Sequence, residues 1–310
     1  MKKTIPNSYK LALLLGPDNH RIQQFFNYAK ARENIRRDKE KGIEPPWTSD
    51  PVLSKYRFCN VEREDDKVTK AVRRLTEGIS PKHLLRTLTL LRWFNRIRTM
   101  EELVTYDLHL NWDHTWATNV IEDLVAEDIP IVTGAYIINT PAGMKKWEGV
   151  LWAYGQFIQF HHRSINTLLF HGLDISLQDL HTELMKAPRL GAFMAYEIVT
   201  DLYHYSPFTQ MPGIMTWANP GPGATRGICR LLDWDTGHLN RNSKQDVQFM
   251  INCMHLILSH ARTFKSLWPF DDRPWDMRTV EHTLCEFDKY ERARMGQGRP
   301  KQVYVYGGEK

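Results

Sequence analysis

The chain has 310 residues, 42% of them hydrophobic, ten tryptophans and a formal charge of +5. That length suits one large domain or two closely packed lobes, the apolar fraction is enough for a core, and the charge is too small by itself to establish a polyanion partner. The four cysteines, Cys59, Cys229, Cys253 and Cys285, are too widely spaced for a zinc pattern and too few for a disulfide scaffold, so the expectation is a reducing, cytoplasmic setting with no structural metal.

The apolar run at 11–15 is too short for a secretory core or a membrane span, and no membrane partner is expected. Helical periodicity dominates the rest and alternating patterns are nearly absent, so the predicted fold class is mainly α. Asp18 can cap a helix that runs to about residue 41, where Gly42 and the Pro45-Pro46 pair stop it. After Pro81, an apolar stripe of Leu84, Leu85, Leu88 and Leu91 marks a second helix. Further helices are predicted over 100–106, 112–127, 146–170, 177–185, 192–203, 244–264 and 276–290. Two stretches break the pattern. Residues 129–144, with β-branched residues and glycines, predict a small β hairpin or an extended active-site loop, and 207–227 holds too many prolines and glycines to be helical through most of its length. Residues 1–50 read as an N-terminal helical extension and 51–310 as the main helical domain.

Basic residues gather at Arg36, Arg37, Lys39 and Lys41, at Arg86, Arg92, Arg96 and Arg98, and at Arg292, Arg294, Arg299 and Lys301. Such clusters can line one groove or remain solvated helix faces. The stretch LMKAPRLGAFMAYEIVTDL at 184–202 reads as helix, tight turn, helix, the layout of a DNA-gripping helix-hairpin-helix. Its loop contains Pro188, Arg189, Leu190 and Gly191, with Arg189 where that turn usually has its first glycine; the alternative is an ordinary helix-loop-helix. On the second helix Glu197 and Asp201 lie four residues apart on the face away from the apolar stripe. Two such carboxylates can orient an amine or share a proton.

The run NPGPGATRG at 219–227 combines glycines, prolines and the guanidinium of Arg226. It can hold an anion on backbone N–H groups and a helix start near Ala224, or serve as a rigid connector, and it is not a nucleotide P-loop because no Gly-Lys-Ser/Thr follows. Residues 56–66 are dense in charge and read as a salt-bridge network. Glu281, Cys285, Lys289 and Arg292 fall on one helical face with Glu286 and Tyr290 alongside, and Cys285 has no local histidine to activate it. The histidine spacings His109/His114 and His161/His162 give no ligand set.

RFCNVEREDD at 57–66, GAFMAYEIVTD at 191–201, GPGATRG at 221–227 and CEFDKYER at 285–292, in this order, resemble the α-glutamyl/putrescinyl thymine pyrophosphorylase family, whose helical domain is also named for its association with 5-hydroxymethyluracil DNA kinases. The resemblance covers roughly residues 50–305. It implies a helical fold distantly similar to helix-hairpin-helix DNA glycosylases, from phage systems that hypermodify thymine in double-stranded DNA inside the infected cell. The implied reaction begins with a 5-hydroxymethyluracil pyrophosphorylated by a separate base kinase, flipped out of the stack, whose pyrophosphate is displaced by the amine of an amino acid or polyamine. On that reading Arg226, Gly221 and Gly223 take the pyrophosphate, and Arg63, Lys289 and Arg292 are further phosphate or carboxylate partners. Asp201 or Glu197 handles the amine, Asn60 reads the base edge, Glu286 contributes to substrate binding, and Arg189, Leu190 and Gly191 contact DNA. No cofactor is required, although Mg2+ can accompany pyrophosphate. The alternatives are a glycosylase acting on a modified base and a non-catalytic DNA-binding partner of a base kinase. Glycosylases of that type carry an essential Asp about twenty residues past the last glycine of the hairpin, a region that reads FTQMPG here, at 208–213.

Overall fold

The computed structural model describes residues 11, 14–134, 140–171 and 175–305. In chain order the helices are α1 (His20–Glu40), α2 (Lys67–Leu75), α3 (Pro81–Phe94), α4 (Ile97–Thr105), α5 (His114–Ala126), α6 (Lys146–Gln156), α7 (His162–His171), α8 (Leu177–Leu184), α9 (Ala192–Leu202), α10 (Pro222–Leu231), α11 (Lys244–Thr263) and α12 (Met277–Arg294). The mainly α expectation holds. Among the described residues the extended pairing is an isolated antiparallel bridge between Tyr56 and Val303. The hairpin expected within 129–144 falls partly on 135–139, which lie outside the described residues, and its remaining residues form turns and coil.

Local chemistry explains most boundaries. Asn19, rather than Asp18, caps α1 by accepting the Arg21 N–H at 2.8 Å, and Asp113, Ser176, Ser243 and Asp276 cap α5, α8, α11 and α12 in the same way. Helix α3 begins on Pro81 and ends where Asn95 enters the left-handed region at φ 45°. The predicted helix over 146–170 is interrupted by a π-turn at Phe157–His161. Helix α10 starts at Pro222, close to the expected start near Ala224, with the proline in its first turn, where its missing N–H costs nothing.

The chain forms two compact units, one built from residues up to Asp66 together with Ala218 onward, the other from Lys67–Trp217. In the first, α1 packs on α10 and α12. Its core is aromatic: Phe25 meets Trp275 at 5.9 Å and Phe287 at 5.4 Å between ring centroids, and Phe26 meets Trp275 at 5.4 Å. The boundary read from sequence at 50/51 therefore falls inside this unit, and α1 is one of its core helices rather than an extension. In the second unit α3 is central. Leu84, Leu85, Leu88, Leu90 and Leu91 are all buried, and the helix packs against α9 and α6. Among the described residues, no helix is long and apolar enough to cross a membrane.

Candidate active site

Helix α12 carries chemistry on two adjacent faces. One, formed by Glu281, Leu284, Cys285, Asp288 and Arg292, meets α10. The approach is close enough to require glycine: a Cβ on Gly227 would lie 2.5 Å from the Leu284 carbonyl oxygen, and one on Gly223 would lie 2.9 Å from Cys285 Sγ. Helix spacing, not anion binding, therefore explains Gly223 and Gly227. Gly221 is also committed, since its N–H donates to Glu281 Oε1 at 2.9 Å, so a side chain of the protein already fills the anion cradle expected at this helix start. Cys285 Sγ lies 3.3 Å from the same carboxylate oxygen. Burial, reinforced by Glu281, pushes this thiol well up, and Cys285 stays a protonated packing residue.

Asp288 is fully buried and gathers three arginines. Arg226 Nε and Arg230 Nε each donate to it at 2.8 Å, and Arg292 Nε lies at 3.4 Å. Three guanidiniums around one carboxylate leave two positive charges in excess. Arg230 is turned inward, with a further bond to Gln297 at 3.0 Å, whereas the side chains of Arg226 and Arg292 are 34% and 40% exposed. Both contact Asp288 through Nε. The sequence singles out Arg226 and Arg292 but not Asp288, which lies inside the 285–292 motif, or Arg230, which lies just past the end of the 221–227 motif.

The other face of α12 bears His282, Glu286 and Lys289 and meets the 58–66 segment. Glu286 Oε2 accepts from the Cys59 N–H at 2.9 Å and from Lys289 Nζ at 2.7 Å. Burial acts to raise the Glu286 pKa, but Lys289 and His282 together with these hydrogen bonds outweigh it and hold the carboxyl below its usual value. Lys289 lies over the Phe58 ring, 5.0 Å from its centroid, so it belongs to this face and not with Arg292 as the spacing suggested. His282 Nε2 pairs with the Asn60 carbonyl at 3.1 Å.

Asn60 is held at both ends. Its Oδ1 accepts from Arg32 at 2.5 Å and its Nδ2 donates to Asp66 at 3.1 Å. Those bonds make it a brace for the segment, so the expectation that it reads a base edge does not survive. Arg63 pairs with Asp66 at 3.2 Å. Asp65 is bridged by Arg36 at 3.3 Å and Arg273 at 3.0 Å, as expected of a salt-bridge network.

In the second unit α8, a short loop and α9 give the expected helix-loop-helix. Arg189 takes φ 64°, the conformation a glycine would adopt there, and its side chain is exposed. Leu190 is buried, and its N–H donates to Ala187 at 3.2 Å, so its backbone serves the turn and not a phosphate. Gly191 is the exposed N-cap of α9. The amine-handling carboxylates are corrected outright. Glu197 and Asp201 are 6% and 0% exposed. Asp201 is clamped by Arg92, which donates to it from Nε and NH2, and by Arg73 at 3.2 Å. The supposed polar face of α9 is buried because α3 supplies a buried arginine opposite it. The same contact removes Arg92 from its predicted basic cluster.

Comparison with known sequences fits this helical architecture. A sequence model of the family described as "5-hmdU DNA kinase, helical domain" matches residues 19–299, and the chain belongs to that family. It is similar to a protein named 5-hmdU DNA kinase from Bacillus phage SP10, at 27% identity over 289 residues, covering 86% of this chain and 44% of that protein. The chain thus spans less than half the length of this relative. No solved structure matches it.

Proposed function

We propose that the chain is a phage DNA-hypermodification transferase, in which the Asp288 cluster holds the pyrophosphate of a 5-pyrophosphorylated hydroxymethyluracil while an amine displaces it. The observation that carries this reading is the cluster's two excess positive charges, with the Arg226 and Arg292 side chains partly exposed. A diphosphate leaving group needs that kind of preorganised cationic support. The amine nitrogen forms a bond to the exocyclic methylene carbon, the carbon–oxygen bond to pyrophosphate breaks, and the amine's proton passes to a carboxylate or to water. Glu286 and Lys289, which pair with each other at 2.7 Å, would exchange that pair for the amino and carboxylate ends of an amino acid. Arg189 and the start of α9 are assigned to the DNA backbone.

The experiment is to incubate the full chain with DNA containing the pyrophosphorylated base and a panel of amines, then digest to nucleosides for mass spectrometry. Transfer predicts a heavier nucleoside with released pyrophosphate, and Arg226→Ala should reduce the rate at least about tenfold. An abasic product would favour a glycosylase. A second reading, a DNA-binding module that works beside a base kinase, draws on the name and greater length of the phage relative. It predicts unchanged nucleosides with DNA binding retained.

A further inference from the structure

We propose that Cys59, Asp66 and His282 form a binding site for a divalent transition metal of the zinc class. Their donor atoms all lie within 4.8 Å of one another, and each residue is half-buried, so an ion could enter from solvent. Tetrahedral zinc ligands stand about 3.3–3.8 Å apart, given metal–ligand bonds of about 2.0–2.3 Å, so closure takes side-chain adjustments on the order of 1 Å.

Polar contacts hold the proposed ligands, and Asp66 Oδ2 exchanges part of its pairing with Arg63, at 3.2 Å, for the ion. Asp66 Oδ1 is oriented by the Asn60 N–H and Nδ2, both at 3.1 Å. Cys59 is anchored through its own N–H on Glu286 at 2.9 Å. His282 pairs through Nε2 with the Asn60 carbonyl, the outer contact that metal-binding histidines commonly make. A sulfur, a nitrogen and an oxygen donor together select zinc or cobalt over magnesium, which prefers oxygen ligands alone. Three protein ligands leave one position for water or a substrate oxygen, as in catalytic rather than structural zinc sites. The site stands whether or not the transferase reading does, because its ligands are separate from the Asp288 cluster.

The test is titration of the chelator-treated full chain with Co2+, followed by near-ultraviolet absorption. The expected result is a thiolate-to-cobalt band that saturates at one equivalent and is bleached by Zn2+. Cys59→Ser should abolish the band, and His282→Gln should weaken cobalt binding at least about tenfold. Cys285→Ser, which alters the thiol on the adjacent, α10-facing side of α12, should retain it. Circular dichroism confirms that each variant is folded. A folded wild-type chain without the band, or a band lost in Cys285→Ser and kept in Cys59→Ser, would overturn the site.

Discussion

At the scale of single residues, two positions hold conformations or charges that their surroundings oppose. Glu62 Oε1 is buried without a hydrogen-bond partner, while Oε2 accepts from Thr279 at 3.1 Å. Burial, followed by the nearby charge of Asp276, pushes its carboxyl up from 4.5 to about 8. A folded-state pKa above the unfolded value means that the native state holds the proton more tightly, so this contribution is fully present below about pH 4.5 and is lost as pH rises through about 8. Denaturant melts at a series of pH values should show stability falling across that window, with Glu62→Gln flattening the decline. The same slope in the variant would assign the effect elsewhere. Arg189 is the second such residue. Arg189→Gly relieves a left-handed backbone that costs about 1 kcal/mol, offset by the greater freedom of the unfolded chain. Thermal stability should therefore stay within about 1 kcal/mol of wild type, while affinity for DNA falls if the guanidinium meets a phosphate. Fluorescence anisotropy beside calorimetry separates the two effects.

At the scale of elements, the contact between α10 and α12 is set by backbone proximity and by one buried charge. Gly227→Ala drives a methyl toward a main-chain carbonyl that no rotamer change can move, and should destabilise by about 1–3 kcal/mol in urea melts. Asp288→Asn leaves the cluster's arginines without their common anion, Arg230 among them at 8% exposure. A loss of about 3 kcal/mol or more is expected, since a buried ion pair broken on one side strands the other charge. Asp201 stands in the same relation to Arg92 in the second unit. These elements also show where sequence was legible. The leucine stripe of α3 is readable because apolar period depends on neighbours within a few residues, whereas the cap expected at Asp18 falls one residue later, on Asn19. The role of the 219–227 glycines was not, because Gly-Pro-Gly before a helix serves an anion cradle and a close helix contact equally well. Only the position of Leu284, Cys285 and Glu281 distinguishes them.

At the scale of the whole molecule, residues up to Asp66 and those from Ala218 onward share one core, so the first unit is discontinuous in sequence. Deleting 1–50 would remove Phe25, Phe26 and Tyr28 from around Trp275 and Phe287, each buried aromatic contributing about 2–3 kcal/mol. The truncated chain should lose cooperative unfolding in circular dichroism and aggregate on gel filtration; a cooperative, monomeric 51–310 fragment would show α1 to be dispensable. The sequence by itself determined that the chain is mainly helical and where most helices begin and end, because those signals are local in chain distance. It also singled out Arg226 in the 219–227 run and, separately, Glu286, Lys289 and Arg292 on the last helix. The tertiary structure alone decided which charges are spent within the fold. Asp201 is consumed by Arg92, Asn60 by Arg32 and Asp66, and Gly221 by Glu281, whereas Arg226 and Arg292 share one anion and keep net charge. It also brought Cys59 and Asp66 beside His282, more than two hundred positions along the chain. The physical reason is that electrostatic neutralisation and metal-ligand geometry depend on distances of a few ångströms between residues far apart in sequence, and no local pattern encodes those distances.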